Sequence, residues 1–165
     1  MDSNYTEINL GAVNRIRDIL LLQHQTAAVA ESVTAGDIQS ALSLAEGALS
    51  FFQGGITVYN LGQKARHLHI DPIHALDNNC VSERVAAEMA VSVTSLFSAD
   101  WGISVTGYAS LLPNKNINEL YACFAISYRS NIVRQETVYA QKAPPRNVRF
   151  FYTNNILSAF LKQIR

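Results

Sequence analysis

Three short segments of this chain carry side chains able to do chemistry. Glu31, Ser32 and Thr34 follow the apolar run TAAVA, Tyr59 to Lys64 follow a run built on Ile56 and Val58, and Thr106-Gly107 close the run WGISVTG. They offer a hydroxyl, an ammonium group and a second hydroxyl. A serine is a weak nucleophile until a base takes its proton, and a lysine is a base only as the free amine, a form that burial favours. Backbone amides at the start of a helix after Thr34 would stabilise an oxyanion. Taken singly, each residue has an ordinary explanation. Ser32 at a strand-to-helix junction caps a helix, Lys64 is a solvated lysine, and Thr106 ends a strand. Chemistry requires the three segments to meet.

The pattern of the chain says how they could. Leu10, Val13, Ile16, Ile19 and Leu20 recur at helical spacing and predict a helix over about 9–23. Residues 26–31 read as a buried strand, 36–45 as a helix, and Ile56 to Tyr59 as a second strand that begins after Gly54-Gly55 breaks the pattern. A short helix over 61–68 stops near Asp71-Pro72. Ser82 is an N-cap with Glu83 in the first turn, opening a helix that runs to about Phe97. Trp101 to Thr106 form a third strand, and residues 108–119 are irregular. Residues 120–129 and 132–140 are strands joined at Ser130-Asn131, hence an antiparallel hairpin. Val148, Tyr152, Ile156, Phe160 and Ile164 line a final helix. Strands alternating with helices predict one three-layer α/β/α domain over 1–165, with a mixed, mostly parallel sheet of about five strands. In such a sheet ligands bind outside the carboxyl ends of the strands, where all three segments lie.

Composition narrows the partners. The chain has 165 residues, 48% of them hydrophobic and 16% charged, enough for one domain with a real core. Thirteen Lys and Arg balance thirteen Asp and Glu, which leaves no broad basic field for nucleic acid. No apolar run approaches the roughly 20 residues that span a bilayer, and the N-terminus lacks the charged and apolar regions of a signal peptide. Two distant cysteines, Cys80 and Cys123, form no disulfide framework. The expectation is a cytoplasmic protein with a small-molecule ligand. His67, His69, Asp71, His74 and Cys80 fall close together in sequence, but their spacing matches no zinc signature, so no metal is expected. Phe150, Phe151 and Tyr152 are assigned to the core or to a face between copies in a homo-oligomer.

The four stretches AESVTAG, EGALSFFQGGITVYNLGQK, VSERVAAEMA and ADWGISVTG, in that order and at this spacing, resemble the CinA C-terminal domain family, whose members include nicotinamide-nucleotide amidases (PncC). The family patterns are AESCTGG, a stretch close to PGAS..F.GG...YSNEAK, a VSE helix start and a strand ending in TG or SG. The resemblance implies the fold just described, without the further N-terminal domain of longer members. It also implies hydrolysis of the amide of nicotinamide mononucleotide with release of ammonia. Carried over residue by residue, Ser32 is the nucleophile and Lys64 its base, Tyr59 and Thr106 orient the pair, and no cofactor is involved. Glu31, Thr34, Gly36 and Gly107 are then expected around the ligand, with Lys115 and Arg146 as anion contacts. A homodimer or higher homo-oligomer is expected.

The departures from the family lie around the presumed pocket. Val33, Ala35 and Asp37 replace a cysteine, a glycine and an apolar residue. A positive φ at position 35 would strain an alanine, and Asp37 would repel an incoming phosphate. YSNEAK has become YNLGQK. The glycine-rich loop after the third strand is GYASLLPNKNINELYA, in which Tyr108, Leu111 and Leu112 stand for small residues, and a GDR-type segment is APPR. These changes also fit an alternative, a catalytically impaired homologue acting as a nucleotide-binding or protein-interaction module.

Overall fold

The structure is a computed structural model and describes residues 3–165. Its elements in chain order are α1 (Leu10–Gln23), β1 (Ala27–Glu31), α2 (Asp37–Ser43), β2 (Phe52–Thr57), α3 (Leu61–Leu68), α4 (Pro72–Asp77), α5 (Glu83–Leu96), β3 (Trp101–Gly107), β4 (Leu120–Tyr128), β5 (Asn131–Ala140) and α6 (Pro145–Gln163). The five strands make one mixed sheet in the order β2-β1-β3-β4-β5. β2, β1 and β3 are parallel, and β4 alone runs the other way.

β1 lies between β2 and β3, and all five of its residues are buried. Side chains alternate along it, so Ala27 and Val29 join one core with α1, α2 and α6 while Ala28 and Ala30 join another with α3, α4 and α5. Small residues there let helices approach both faces. Val148, Tyr152, Ile156 and Phe160 of α6, and Ile164 at its C-cap, are all buried, as their spacing predicts. Ser82 caps α5 by accepting from the Val85 amide at 3.1 Å.

Three expectations need correction. Gly54 and Gly55 lie inside β2 rather than before it. A Cβ on Gly55 would stand 2.5 Å from the Val29 carbonyl, so glycine permits close strand pairing here and does not end the strand. α3 ends earlier, at Leu68 with His69 left-handed at φ 54°, and Asp71-Pro72 instead starts α4, with Asp71 accepting from the Ile73 amide at 3.0 Å and Pro72 opening the first turn. The hairpin turn is Arg129-Ser130, one residue earlier than expected. Both residues take positive φ, 48° and 64°, the conformation a two-residue turn needs to match strand twist. Among the described residues no helix is long and apolar enough to cross a membrane.

Candidate active site

Ser32 follows β1 directly, and Lys64 sits one turn into α3, whose start Asn60 caps by accepting from the Gln63 amide. The parallel pairing of β1 with β2 brings the ends of both strands to one edge of the sheet, with Glu31 opposite Thr57. Lys64 Nζ donates to Ser32 Oγ at 2.9 Å and to the Val58 carbonyl at 3.1 Å. The ammonium is almost wholly buried, 1% exposed, and among the described residues it has no carboxylate partner. Burial without a counter-charge pushes the Lys64 pKa below the usual lysine range, offset in part by Cys80 nearby. The result is a hydroxyl against a desolvated amine.

The pair opens into a cleft of about 630 Å³. The loop after β3 forms one wall through Tyr108, Ala109, Ser110 and Leu112 without filling the cleft. The Tyr108 hydroxyl is buried and, among the described residues, has no hydrogen-bond partner. Among the described residues, no group of three or more His, Cys, Asp or Glu is placed to hold a metal ion.

Ser32 and Lys64 are therefore brought together, but the other expected residues divide. Tyr59 lines the cleft and is 69% exposed; among the described residues its hydroxyl bonds to neither member of the pair. Thr106 also lines the cleft, but it donates to the Cys80 carbonyl at 2.7 Å, not to the pair. It holds the loop in which Asn79 and Cys80 both take positive φ, 50° and 63°. Neither residue orients the dyad by direct contact.

Glu31, Thr34 and Gly36, expected around the ligand, do not line the cleft. Glu31 is fully buried, and its carboxylate accepts from the Thr34 hydroxyl and from the amides of Gly36, Ile38 and Gln39, the last at 2.8 Å. The acid thus occupies the N-terminus of α2, where charge and unpaired amides both favour it. The oxyanion donors expected at that helix start are accordingly taken, and the Asp37 amide bonds the Thr34 carbonyl. Among the described residues the amides of Val33 and Thr34 meet no protein acceptor. A glutamate closing a buried strand five to eight residues before free helical amides was the signal for this cap.

Gly107 lines the cleft, and a Cβ there would come within 2.6 Å of Ala122 on β4. Ala35 does sit at positive φ, 50°, and carries the strain expected of a side chain there, about 1–2 kcal/mol. Lys115 reaches the rim of the cleft, whereas Arg146 lies outside it, stacked over the Phe150 ring at 5.4 Å. The arginine at the cleft is Arg149, one turn further along α6. Arg149 Nε and Nη2 donate to the two Asp37 carboxylate oxygens at 2.9 Å each, and Nη2 also donates to the Thr34 carbonyl at 2.9 Å. Asp37, read as a free charge, is half of an ion pair. Choosing Arg149 over Arg146 required knowing which side of α6 faces α2. His74 meets Ser82 at 2.9 Å.

The sequence model of a family described as the CinA C-terminal domain matches residues 11–150. Protein MG115 of Mycoplasma genitalium is 34% identical over 149 residues, covering 89% of this chain and 93% of that protein. A CinA-like protein of Thermosynechococcus vestitus is 30% identical over 149 residues, 88% of this chain. The chain spans only 36% of that relative's length, and 22% of a similar CinA-like protein of Picosynechococcus. Among solved structures, the competence or damage-inducible protein from Enterobacter asburiae superposes with a TM-score of 0.89 at 23% identity, over 97% of this chain and 100% of that one, a likeness in fold.

Proposed function

Because this chain belongs to the CinA C-terminal domain family, we propose that it is a serine–lysine amidohydrolase acting on nicotinamide mononucleotide or a related small primary amide. The observation that carries this reading is the buried contact between Ser32 Oγ and Lys64 Nζ, which among the described residues has no counter-charge. With Lys64 neutral, one N–H stays on the Val58 carbonyl and the lone pair accepts from the Ser32 hydroxyl. Ser32 Oγ attacks the amide carbon as its proton passes to Lys64. The oxyanion forms beside the amides of Val33 and Thr34. Lys64 returns the proton to the departing nitrogen, the C–N bond breaks, and ammonia leaves an acyl-Ser32 ester. Water then attacks the ester as it gives a proton to Lys64, Lys64 passes that proton to Ser32 Oγ as the ester C–O bond breaks, and the acid leaves as its carboxylate with its own proton going to solvent.

Thr106 acts at one remove, by holding the Cys80 loop that forms part of the cleft. The second reading, a binding module without turnover, draws support from strained Ala35 and from a wall built of Tyr108 and Leu112. One experiment decides between them. Ammonia release is measured from nicotinamide mononucleotide and from smaller nicotinamide-bearing amides, with Ser32→Ala and Lys64→Ala beside the wild type. Release abolished by both substitutions supports the amidase. No release from any of these amides, with ligand binding retained, supports the module.

A further inference from the structure

Three basic side chains line the cleft, Lys64, Lys115 and Arg149, and among the described residues no carboxylate does so. Each of the three has a different availability to an anion. Lys64 is buried against Ser32 and Val58. Lys115 is exposed on the loop after β3. Arg149 is the planar fork that would recognise a phosphomonoester, yet its Nε–Nη2 edge is closed by the bidentate Asp37 pair. The remaining Nη2 proton goes to the Thr34 carbonyl, so the Nη1–Nη2 edge is incomplete as well. Only the two protons of Nη1 are left, on a side chain whose charge Asp37 already balances. The amides of α2 offer no substitute, because Glu31 takes those of Gly36, Ile38 and Gln39. A phosphate dianion would meet one solvated ammonium and a neutral ion pair. A hydroxyl or carbonyl needs no more than a single N–H.

We propose that the cleft selects a primary amide whose far end carries hydroxyls and discriminates against phosphomonoesters, with Asp37 as the residue that sets this preference by occupying Arg149. The amide half of that statement rests on the reading above. The exclusion of phosphate does not depend on turnover; it rests on the Asp37–Arg149 pair and on the α2 amides already taken by Glu31.

The test has two arms, one independent of turnover. In the first, thermal unfolding of the full chain is followed against inorganic phosphate at fixed ionic strength for wild type, Asp37→Asn and Asp37→Asn/Arg149→Met. The expected result is no shift for wild type, a rise for Asp37→Asn, and loss of that rise in the double variant. In the second, ammonia release is compared for nicotinamide mononucleotide and its dephosphorylated nucleoside. Wild type is expected to favour the nucleoside at least tenfold in kcat/KM, and Asp37→Asn to narrow that ratio at least tenfold. A wild type stabilised by phosphate through Arg149, shown by loss of the shift in Arg149→Met, overturns the proposal even if Asp37→Asn does not fold. A wild-type preference for the mononucleotide overturns it too. Turnover of neither compound removes the amidase reading, while the phosphate titration still decides the exclusion.

Discussion

Lys64 Nζ stands 2.9 Å from Ser32 Oγ, across thirty-two residues of chain, and the described residues hold no acid to balance it. A surface lysine in this position would be charged and inert as a base. Burial shifts the balance of Lys64 towards the free amine, because the charged form loses solvation inside the fold and costs stability there.

That relationship fixes a pH profile. With Lys64 depressed below the usual lysine range, kcat/KM for the amide should rise with pH to a plateau reached below about pH 10.4, the ordinary lysine value. Lys64→Ala and Ser32→Ala should each lose at least about 10²-fold in kcat, the usual contribution of a positioned base or nucleophile. Initial rates of ammonia release across pH 6–10 check both (roughly the span below the ordinary lysine value).

The same burial appears in stability. The unfolded chain binds a proton at Lys64 up to its ordinary pKa, near 10.4, while the folded chain releases that proton at lower pH. Folded stability from this group is therefore complete above about pH 10.4 and falls as pH drops towards the folded pKa, by about 1.4 kcal/mol per pH unit. Lys64→Met has no such slope. Its melting temperature relative to wild type should shift in its favour as pH is lowered from about 10 towards 7, and calorimetry at several pH values reads this directly. A constant difference would mean that Lys64 stays charged inside the fold.

Much of this arrangement is written in local pattern. The four-residue spacing of Val148, Tyr152, Ile156 and Phe160 specifies the buried stripe of α6, and Ser82 with Glu83 marks the start of α5. Ser32 and Lys64 could be paired because parallel strands deliver their following residues to one sheet edge. What local pattern could not show is where a side chain points once two distant elements pack. Arg149 is chosen over Arg146 by contact with Asp37, 112 residues away. Thr106 turns to Cys80 and away from the dyad because a strained loop passes beside the end of β3. Glu31 is close enough to Ser32 in sequence to suggest a ligand contact, and strand alternation sends it instead beneath α2.

Glu31 thus carries a structural prediction. Replacing it with alanine strands the Thr34 hydroxyl and three amides in a buried site. The loss should be about 3–5 kcal/mol, typical of removing one partner from a buried charged network. Glu31→Gln, which keeps one acceptor oxygen, should lose less. Urea unfolding would show the midpoint falling by more than about 1 M for Glu31→Ala.

Tyr59 and Thr106 are separated by what each touches. The Tyr59 hydroxyl reaches neither Ser32 nor Lys64, so Tyr59→Phe should change kcat by no more than about twofold, as expected of a solvated group. Thr106→Val leaves the Cys80 carbonyl without its donor, a loss of about 1–3 kcal/mol in stability. Its kinetic effect should fall mainly on KM, because the cleft wall moves while the dyad stays. A large loss of kcat in Tyr59→Phe would restore the direct orienting role that the family resemblance implied.

Two glycines, given the same extra methyl group, should respond with opposite signs. At Gly107 the new Cβ would lie 2.6 Å from the Cα and Cβ of Ala122 and from the Tyr121 carbonyl. None of those atoms can rotate away, so β3 must part from β4 at the mouth of the cleft. Gly107→Ala should lose about 1–3 kcal/mol, the range for overpacking, and raise KM. At Gly62, exposed in the first turn of α3, the nearest atom is Asn60 Oδ1 at 3.5 Å, an ordinary contact. Gly62→Ala should therefore gain up to about 1 kcal/mol by reducing the freedom of the unfolded chain. It also stiffens the turn that carries Lys64 and leaves Ser32 untouched. Paired urea melts give the two signs. Equal destabilisation by both would mean that the start of α3 has a backbone conformation other than helical, and with it a different placement of Lys64.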